Sequence, residues 1–389
     1  MNNWILAAAL AGTLGLTAGA GAASQAQPGP AEIDAYAEEL RVREGVPGMA
    51  LAVIENGEVT HLAAYGDRKL EPRAALDPDT VMYGASLTKF VFAAYVMQLA
   101  EDGLVDLDWP IGEYFDRPLP EYEEWADLEG DERWGELTLR LLLSHQTGWA
   151  NFRFFPPEGG FDPDAKLKFY LDPGTRYAYS GEGFILAQRA VAEVIGRDPG
   201  EDMRDRIFDP LGMSRTSMVW REDFRPNFAS GYTVDGEDAG HNMQDNTRAS
   251  GSMDTTIRDF AAFVAAFQRG EVVSAASRDE MLSPQIAIAS AHQFPPLDPA
   301  DNPANAEVNL SGGLGVEVWD APDGRGFIKG GHNEKTDNML TCVDDGQRCV
   351  ALLMNTAKGD RVYPQLIEYV LGGTDFPWPW KYSALEAEE

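Results

Sequence analysis

The sequence predicts an α+β protein. One antiparallel β-sheet is flanked by the terminal helices, and a mostly helical subdomain is inserted between its strands. Strand signals, read as apolar runs bounded by turn residues, gather at the two ends of the chain. Helical patterns fill the middle, from Ser86 to about Phe267. With 389 residues, 44% of them hydrophobic, the chain can build a large core in one composite domain or two.

Taken in order, Ala31 to Arg43 reads as a helix. The apolar runs Met49–Ile54 and Glu58–Tyr65 follow, and Asn56-Gly57 between them is a strong hairpin signal. The helices of the middle are Ser86–Glu101, Leu137–Ser144, Gly183–Ile195, Gly200–Ile207 and Thr256–Phe267, separated by Pro- and Gly-rich loops. Strands return at Gly315–Trp319, Gly326–Gly330, Met339–Val343 and Cys349–Met354, and a last helix at Asp360–Leu371 ends at Gly372-Gly373. This divides the chain into an α/β lobe (residues 31–82 and 270–372), a helical lobe (83–269) and a C-terminal tail (373–389). A cleft between two such lobes is a common place for a ligand.

Residues 1–26 read as a secretory signal peptide. Trp4 to Ala23 is apolar and rich in Ala, Gly and Leu; small-x-small sites follow at Ala20-Gly21-Ala22 and Ser24-Gln25-Ala26; Pro28-Gly29-Pro30 then breaks any helix. No Lys or Arg precedes the apolar stretch, so an uncleaved anchor is the rival, although the stretch is weakly hydrophobic for a permanent span. Cleavage places the protein in a secreted or periplasmic setting without stable membrane insertion. The net charge of −32 argues against nucleic acid and anionic membrane as partners. The two cysteines, Cys342 and Cys349, bracket the turn Asp344-Asp345-Gly346-Gln347. They could face each other across a hairpin and form a disulfide in an oxidising compartment, or remain two small unpaired core residues. Two Cys without clustered His are too few ligands for a metal site, and no cofactor motif is present.

Three segments carry chemistry. Ser86-Leu87-Thr88-Lys89 opens an apolar helix, so Lys89 shares a face with Ser86 and can reach its hydroxyl. A hydroxyl becomes a good nucleophile when a neighbour takes its proton, and a desolvated lysine can do so. The helix N-terminus adds a donor for an oxyanion. The same motif would equally serve as a Ser N-cap with an exposed lysine. Tyr177-Ala178-Tyr179-Ser180-Gly181 places a tyrosine on a tight loop, where nearby cations could lower its pKa; alone, it also reads as aromatic packing. Phe327-Ile328-Lys329-Gly330-Gly331-His332 is a lysine on a strand followed by two glycines, which let a substrate approach the backbone. An N–H from that strand end could be a second oxyanion donor.

In this order the segments resemble the serine β-lactamase and penicillin-binding-protein superfamily, in its class C-like branch. Met82 to Lys89 is similar to the nucleophile motif, Leu141 to Trp149 to "LLSHTSGL", and Pro173 to Ser180 to "PGTxFxYS". Pro210 to Thr216 is similar to "PLGMxxT", Ser250-Gly251-Ser252-Met253 to "GGLxST", and Lys329-Gly330-Gly331 stands in the place of K-T-G. The resemblance spans about residues 31–372 and implies the β-lactamase/transpeptidase-like fold.

It also implies metal-free acyl transfer. Ser86 would attack a carbonyl, with Lys89 and Tyr179 managing its proton. Lys329 would hold Tyr179 ionised or bind a substrate carboxylate, and the N–H groups of Ser86 and His332 would form the oxyanion hole. Substrate-side positions are Gly181, Gly330, Gly331 and His332. His145 is structural in the family, and no G-x-S-x-G elbow is present. Two departures matter: Gly181 stands where Tyr-x-Asn has Asn, and Gly330 where K-T-G has Thr. Both are expected to open the site and remove polar contacts, pointing away from penicillins and towards esters or unusual amides. The expected function is a secreted serine hydrolase acting on a small or peptide-like ester or amide: an esterase, D-amino-acid peptidase or weak β-lactamase. The alternative is a catalytically silent penicillin-binding-like protein that binds cell-wall peptide or another ligand. The sequence leaves the oligomeric state open.

Overall fold

The computed structural model describes residue 1, residues 27–383 and residue 385. The signal-peptide expectation for residues 1–26 falls almost wholly outside the described residues. Among the described residues, no helix is long and apolar enough to cross a membrane.

The chain begins with helix α1 (Pro30–Arg43) and the hairpin β1 (Gly48–Glu55) and β2 (Glu58–Lys69). Asn56 and Gly57 both take positive φ, 51° and 81°, as the tight turn between twisted strands requires. A short β3 (Ala74–Ala75) follows. The sheet resumes far along the chain with β4 (Ile286–Ala287), β5 (Ser311–Gly312), β6 (Glu317–Ala321), β7 (Gly324–Asn333), β8 (Thr336–Val343) and β9 (Arg348–Met354). These nine strands form one sheet in the order β3-β2-β1-β9-β8-β7-β6-β5-β4, and every pairing is antiparallel.

Period-two alternation explains why both faces are covered. Met49, Leu51 and Val53 of β1 join Leu352 and Met339 against α1 and the last long helix, α5 (Gly359–Leu371). Ala50, Ala52 and Ile54 point the other way, with Phe327 and Leu353, onto α2 (Leu87–Glu101) and α4 (Ile257–Arg269). Between them comes α3 (Gly181–Ile195), in the helical part of the chain. Helix α2 is buried nearly all round, which is why its sequence shows no polar stripe. Phe90 sits in its first turn, edge-on to Phe263 and Phe267 at 5.4 and 5.0 Å. Phe90→Ala is therefore expected to cost about 3–5 kcal/mol, read as a lower denaturation midpoint.

Cys342 and Cys349 are register partners on β8 and β9, with Cα atoms 4.1 Å apart, and they are joined by a disulfide. The segment after Gly373 corrects the expectation of a tail. Trp380 is fully buried and Phe376 nearly so, and the Trp319 indole N–H donates to the Thr374 carbonyl at 2.8 Å. Three large rings in a short span, Phe376, Trp378 and Trp380, bury more surface than a solvated tail could leave exposed.

Candidate active site

Ser86 is the N-cap of α2 and follows Ala85, whose φ of 46° makes a sharp turn into the helix. The Leu87, Thr88 and Lys89 N–H groups donate to the carbonyls of Gly84, Ala85 and Ser86. Among the described residues no carbonyl or side chain takes the Ser86 N–H, so it remains available. One turn on, the Lys89 ammonium lies 3.0 Å from Ser86 Oγ and donates to the Ser250 carbonyl at 2.5 Å. Lys89 is 1% exposed, and its burial pushes its pKa down.

Tyr179 immediately precedes Ser180, which caps α3 by accepting from the Gly183 N–H. The loop is pinned from one side: the Ala178 N–H donates to the His145 carbonyl, the Ser180 N–H to His145 Nδ1 at 3.0 Å, and the Gly181 N–H to Asn151. Because Nδ1 accepts, His145 is a neutral ring here. Burial holds its pKa well below the usual value, and it stacks on Tyr179 at 4.2 Å. That is a supporting role, as the resemblance implied.

Lys329, on β7, approaches Tyr179 OH to 3.4 Å. Burial alone would push the Tyr179 phenol up. The charges of Lys329 and then Lys89 outweigh it, with help from the Ser86 hydroxyl, and bring the pKa down to about 8. Burial disfavours the Lys329 charge as well, yet Glu317 and Tyr179 more than compensate, so its pKa is raised. Ser86, Lys89, Tyr179 and Lys329 thus form one contiguous cluster drawn from the start of α2, the loop before α3 and β7.

The glycines have steric reasons. A Cβ on Gly331 would lie 2.6 Å from the Gly84 carbonyl oxygen and 2.8 Å from Ser86 N, so only glycine lets β7 lie against the start of α2. His332 follows at the exposed end of the strand, in the wall of the cleft. Gly331→Ala is expected to push β7 off the Ser86 N–H and to lower kcat/KM about 10²-fold, the worth of one oxyanion donor. An unchanged melting temperature would separate this from unfolding.

Gly181 and Gly330 do not open the site as expected. A Cβ on Gly181 would meet the Phe152 ring at 2.5 and 2.6 Å, and a Cβ on Gly330 would meet Lys381 Nζ at 2.5 Å. An aromatic ring fills one vacated space, and an ammonium from the C-terminal segment fills the other.

Sequence reasoning also missed Glu317. This buried carboxylate accepts from Lys329 at 3.3 Å, Tyr177 OH at 2.9 Å and Gln293 at 3.2 Å. Its signal was a charged residue between Val316 and Val318 in an apolar strand. Among the described residues no group of His, Cys, Asp and Glu is placed to hold a metal.

The cleft beside Ser86 has a volume of about 520 Å³, and Phe152, Phe154, Phe155, His332 and Asn333 are among the residues that line it.

Comparison with known proteins gives a consistent family. Penicillin-binding protein 4 of Amycolatopsis lactamdurans is 29% identical over 197 residues, which is 48% of this chain and 49% of that protein. The unguisins hydrolase ungD' of Aspergillus campestris is 27% identical over 246 residues, 57% of this chain and 44% of that protein. The matched region thus spans about half the length of these curated relatives or less. In fold, the chain superposes on the octameric penicillin-binding protein homologue from Pyrococcus abyssi with a TM-score of 0.70 at 19% identity, covering 91% of this chain and 80% of that one. The model of the Beta-lactamase family matches residues 33–372, nearly all of the described chain, and the protein belongs to that family.

Proposed function

We propose that the protein is an exported serine hydrolase that cleaves an ester or amide through an acyl-enzyme on Ser86. The observation that carries this is the shared contact of Ser86 with a buried lysine whose charge is disfavoured and a phenol lowered to about 8. Ser86 Oγ attacks the substrate carbonyl carbon, and its proton passes to the Tyr179 phenolate or to neutral Lys89. The oxyanion is met by the Ser86 N–H and by backbone at the end of β7, beside His332. The leaving alcohol or amine takes the proton as the acyl bond to it breaks. Water, deprotonated by the same groups, then cleaves the Ser86 ester and regenerates the hydroxyl. Lys329 stays charged and holds Tyr179 in its basic form.

The apolar N-terminal stretch and the Cys342–Cys349 bridge support export. The relatives named above include an unguisins hydrolase and a penicillin-binding protein, which supports hydrolysis of a small substrate.

The test is covalent labelling with a fluorophosphonate, mapping of the adduct by mass spectrometry, and a panel of short p-nitrophenyl esters, nitrocefin and D-amino-acid amides ranked by kcat/KM. An adduct on Ser86 with turnover of at least one class is expected. Neither adduct nor turnover, with stoichiometric binding of a muropeptide, would establish the silent binding protein instead.

A further inference from the structure

The chain carries 63 acidic residues against 31 Lys and Arg, yet among the described residues no acidic side chain lines the cleft beside Ser86. One wall is aromatic: Phe152 and Phe154 stack with centroids 5.3 Å apart, and Phe155 lies edge-on to Phe154 at 4.9 Å. Phe155 is 49% exposed, an unusual investment of apolar surface. The lining also includes Gln244, Arg248, Ser250 and Gly251. Arg248 is exposed, and among the described residues its side chain makes one hydrogen bond, from Nε to Asn246 Oδ1 at 3.2 Å. Among the described residues no carboxylate lies within ion-pair distance of it, whereas most arginines of this acidic chain are paired (Arg133, Arg140 and Arg206 each with two carboxylates).

The backbone fixes where Arg248 stands. Its N–H donates to Ser252 Oγ at 2.9 Å, the Gly251 and Ser252 N–H groups donate to its carbonyl, and Ser250 in the same turn accepts from Lys89. The guanidinium is therefore presented from the loop that also orients the lysine beside the nucleophile. The other cations of the site are committed: Lys89 faces Ser86 and Ser250, Lys329 faces Tyr179 and Glu317, and Lys381, beside Gly330, donates to Gln293.

We infer that Arg248 is a specificity-determining residue: it selects, through a two-point ion pair, substrates that carry a carboxylate together with a bulky apolar or aromatic group, the latter lying on the Phe152–Phe154–Phe155 wall. This rests on the hydrolase reading above and names its substrate class. A planar guanidinium with unpaired N–H groups matches a carboxylate in geometry and charge. A surface of net charge −32 repels anions elsewhere, so a cleft free of acidic groups with one arginine is the place where an anionic substrate meets attraction. The carboxylate is thus read from the 248–251 loop, which lines the cleft beside Ser86.

The test uses matched pairs: phenylacetylglycyl esters of 3-hydroxybenzoic acid and of its carboxamide, and p-nitrophenyl esters of a phenylsuccinic monoacid and of its monoamide. The first pair places the charge on the leaving alcohol, the second on the acyl group. The carboxylate member of one pair is expected to have a kcat/KM roughly 10- to 100-fold higher, the range for a hydrogen-bonded charge pair. Arg248→Ala should erase that ratio, Arg248→Glu invert it, and Arg248→Lys restore part of it. Raising salt should compress the ratio in the wild type and not in Arg248→Ala. A ratio near one in both pairs, or a ratio insensitive to Arg248, overturns the inference while leaving the hydrolase intact. If no ester turns over, equilibrium binding of the same pairs to the wild-type protein decides it: equal affinity for acid and amide overturns the subsite, and a preference lost in Arg248→Ala supports it without catalysis.

Discussion

Ser86→Ala and Lys89→Met, made singly and together, are expected to fall to the same residual rate, about 10⁴-fold or more below wild type in kcat. The reason is that the two side chains act as one unit. Lys89 Nζ stands 3.0 Å from Ser86 Oγ and its charge helps to lower the Tyr179 phenol, so losing Lys89 removes one acceptor of the hydroxyl proton and weakens the other. Without the hydroxyl, the lysine has nothing to deprotonate. Removing either partner therefore removes the same step, and the double variant loses nothing further. Losses that add on a logarithmic scale would show that Lys89 acts independently of Ser86, for instance by binding substrate. Lys89→Met preserves volume in a helix start with no free space. It does leave the Ser250 carbonyl without its donor, an expected cost of about 1–3 kcal/mol that a denaturation curve reads separately. Fluorophosphonate labelling adds a second readout. Ser86→Ala should not label at all, and Lys89→Met should label slowly at the same residue.

Much of this arrangement is legible in the sequence where local chemistry decides it. Asn56-Gly57 fixes the first hairpin because few residue pairs accept two positive φ angles. The all-apolar run after Ser86 gives both the helix and its burial, and three-residue spacing gives the contact of Lys89 with Ser86. Tyr179 and Lys329 are different. They lie 150 residues apart, and nothing in either segment specifies the other. They were recoverable because six short segments in order resemble one family, which supplies the tertiary contact that spacing cannot.

What stayed hidden is long-range packing. Phe152 and Lys381 fill the spaces beside Gly181 and Gly330 from segments with no motif of their own, so two glycines that read as openings are close contacts. Residues 374–382 failed as a tail for the same reason: isolated tryptophans among prolines show no periodicity, although their area forces burial. The short strands Ile286–Ala287 and Ser311–Gly312 extend the sheet with two residues each, too few for any alternation to register.

Glu317, also hidden, sets up the second large effect. Lys329→Met is expected to lower kcat about 10²- to 10⁴-fold and to move the rising limb of the pH–rate profile to higher pH. In the wild type, burial pushes the Tyr179 phenol up, and Lys329, followed by Lys89, pulls it below its ordinary value to about 8. The fraction of phenolate therefore rises with pH and levels off above about 8, and the rate should follow it. Removing the stronger of the two cations raises the Tyr179 pKa, so less phenolate is present at any given pH. The same change relieves the repulsion that Lys329 exerts on Lys89, which raises the Lys89 pKa too. Both shifts move the limb in one direction. Stability should fall as well, by about 3 kcal/mol, because Glu317 keeps its donors Tyr177 and Gln293 but loses its buried counter-charge. Lys329→Met combined with Glu317→Gln separates the two consequences. The double variant has no stranded carboxylate and should regain most of the melting temperature. Its rate and its displaced limb should stay close to those of Lys329→Met, since Lys329 acts on Tyr179 more strongly than Glu317 does. Recovery of both stability and rate would mean that Lys329 serves the fold alone; recovery of stability without rate ties it to the proton held between Ser86 and Tyr179.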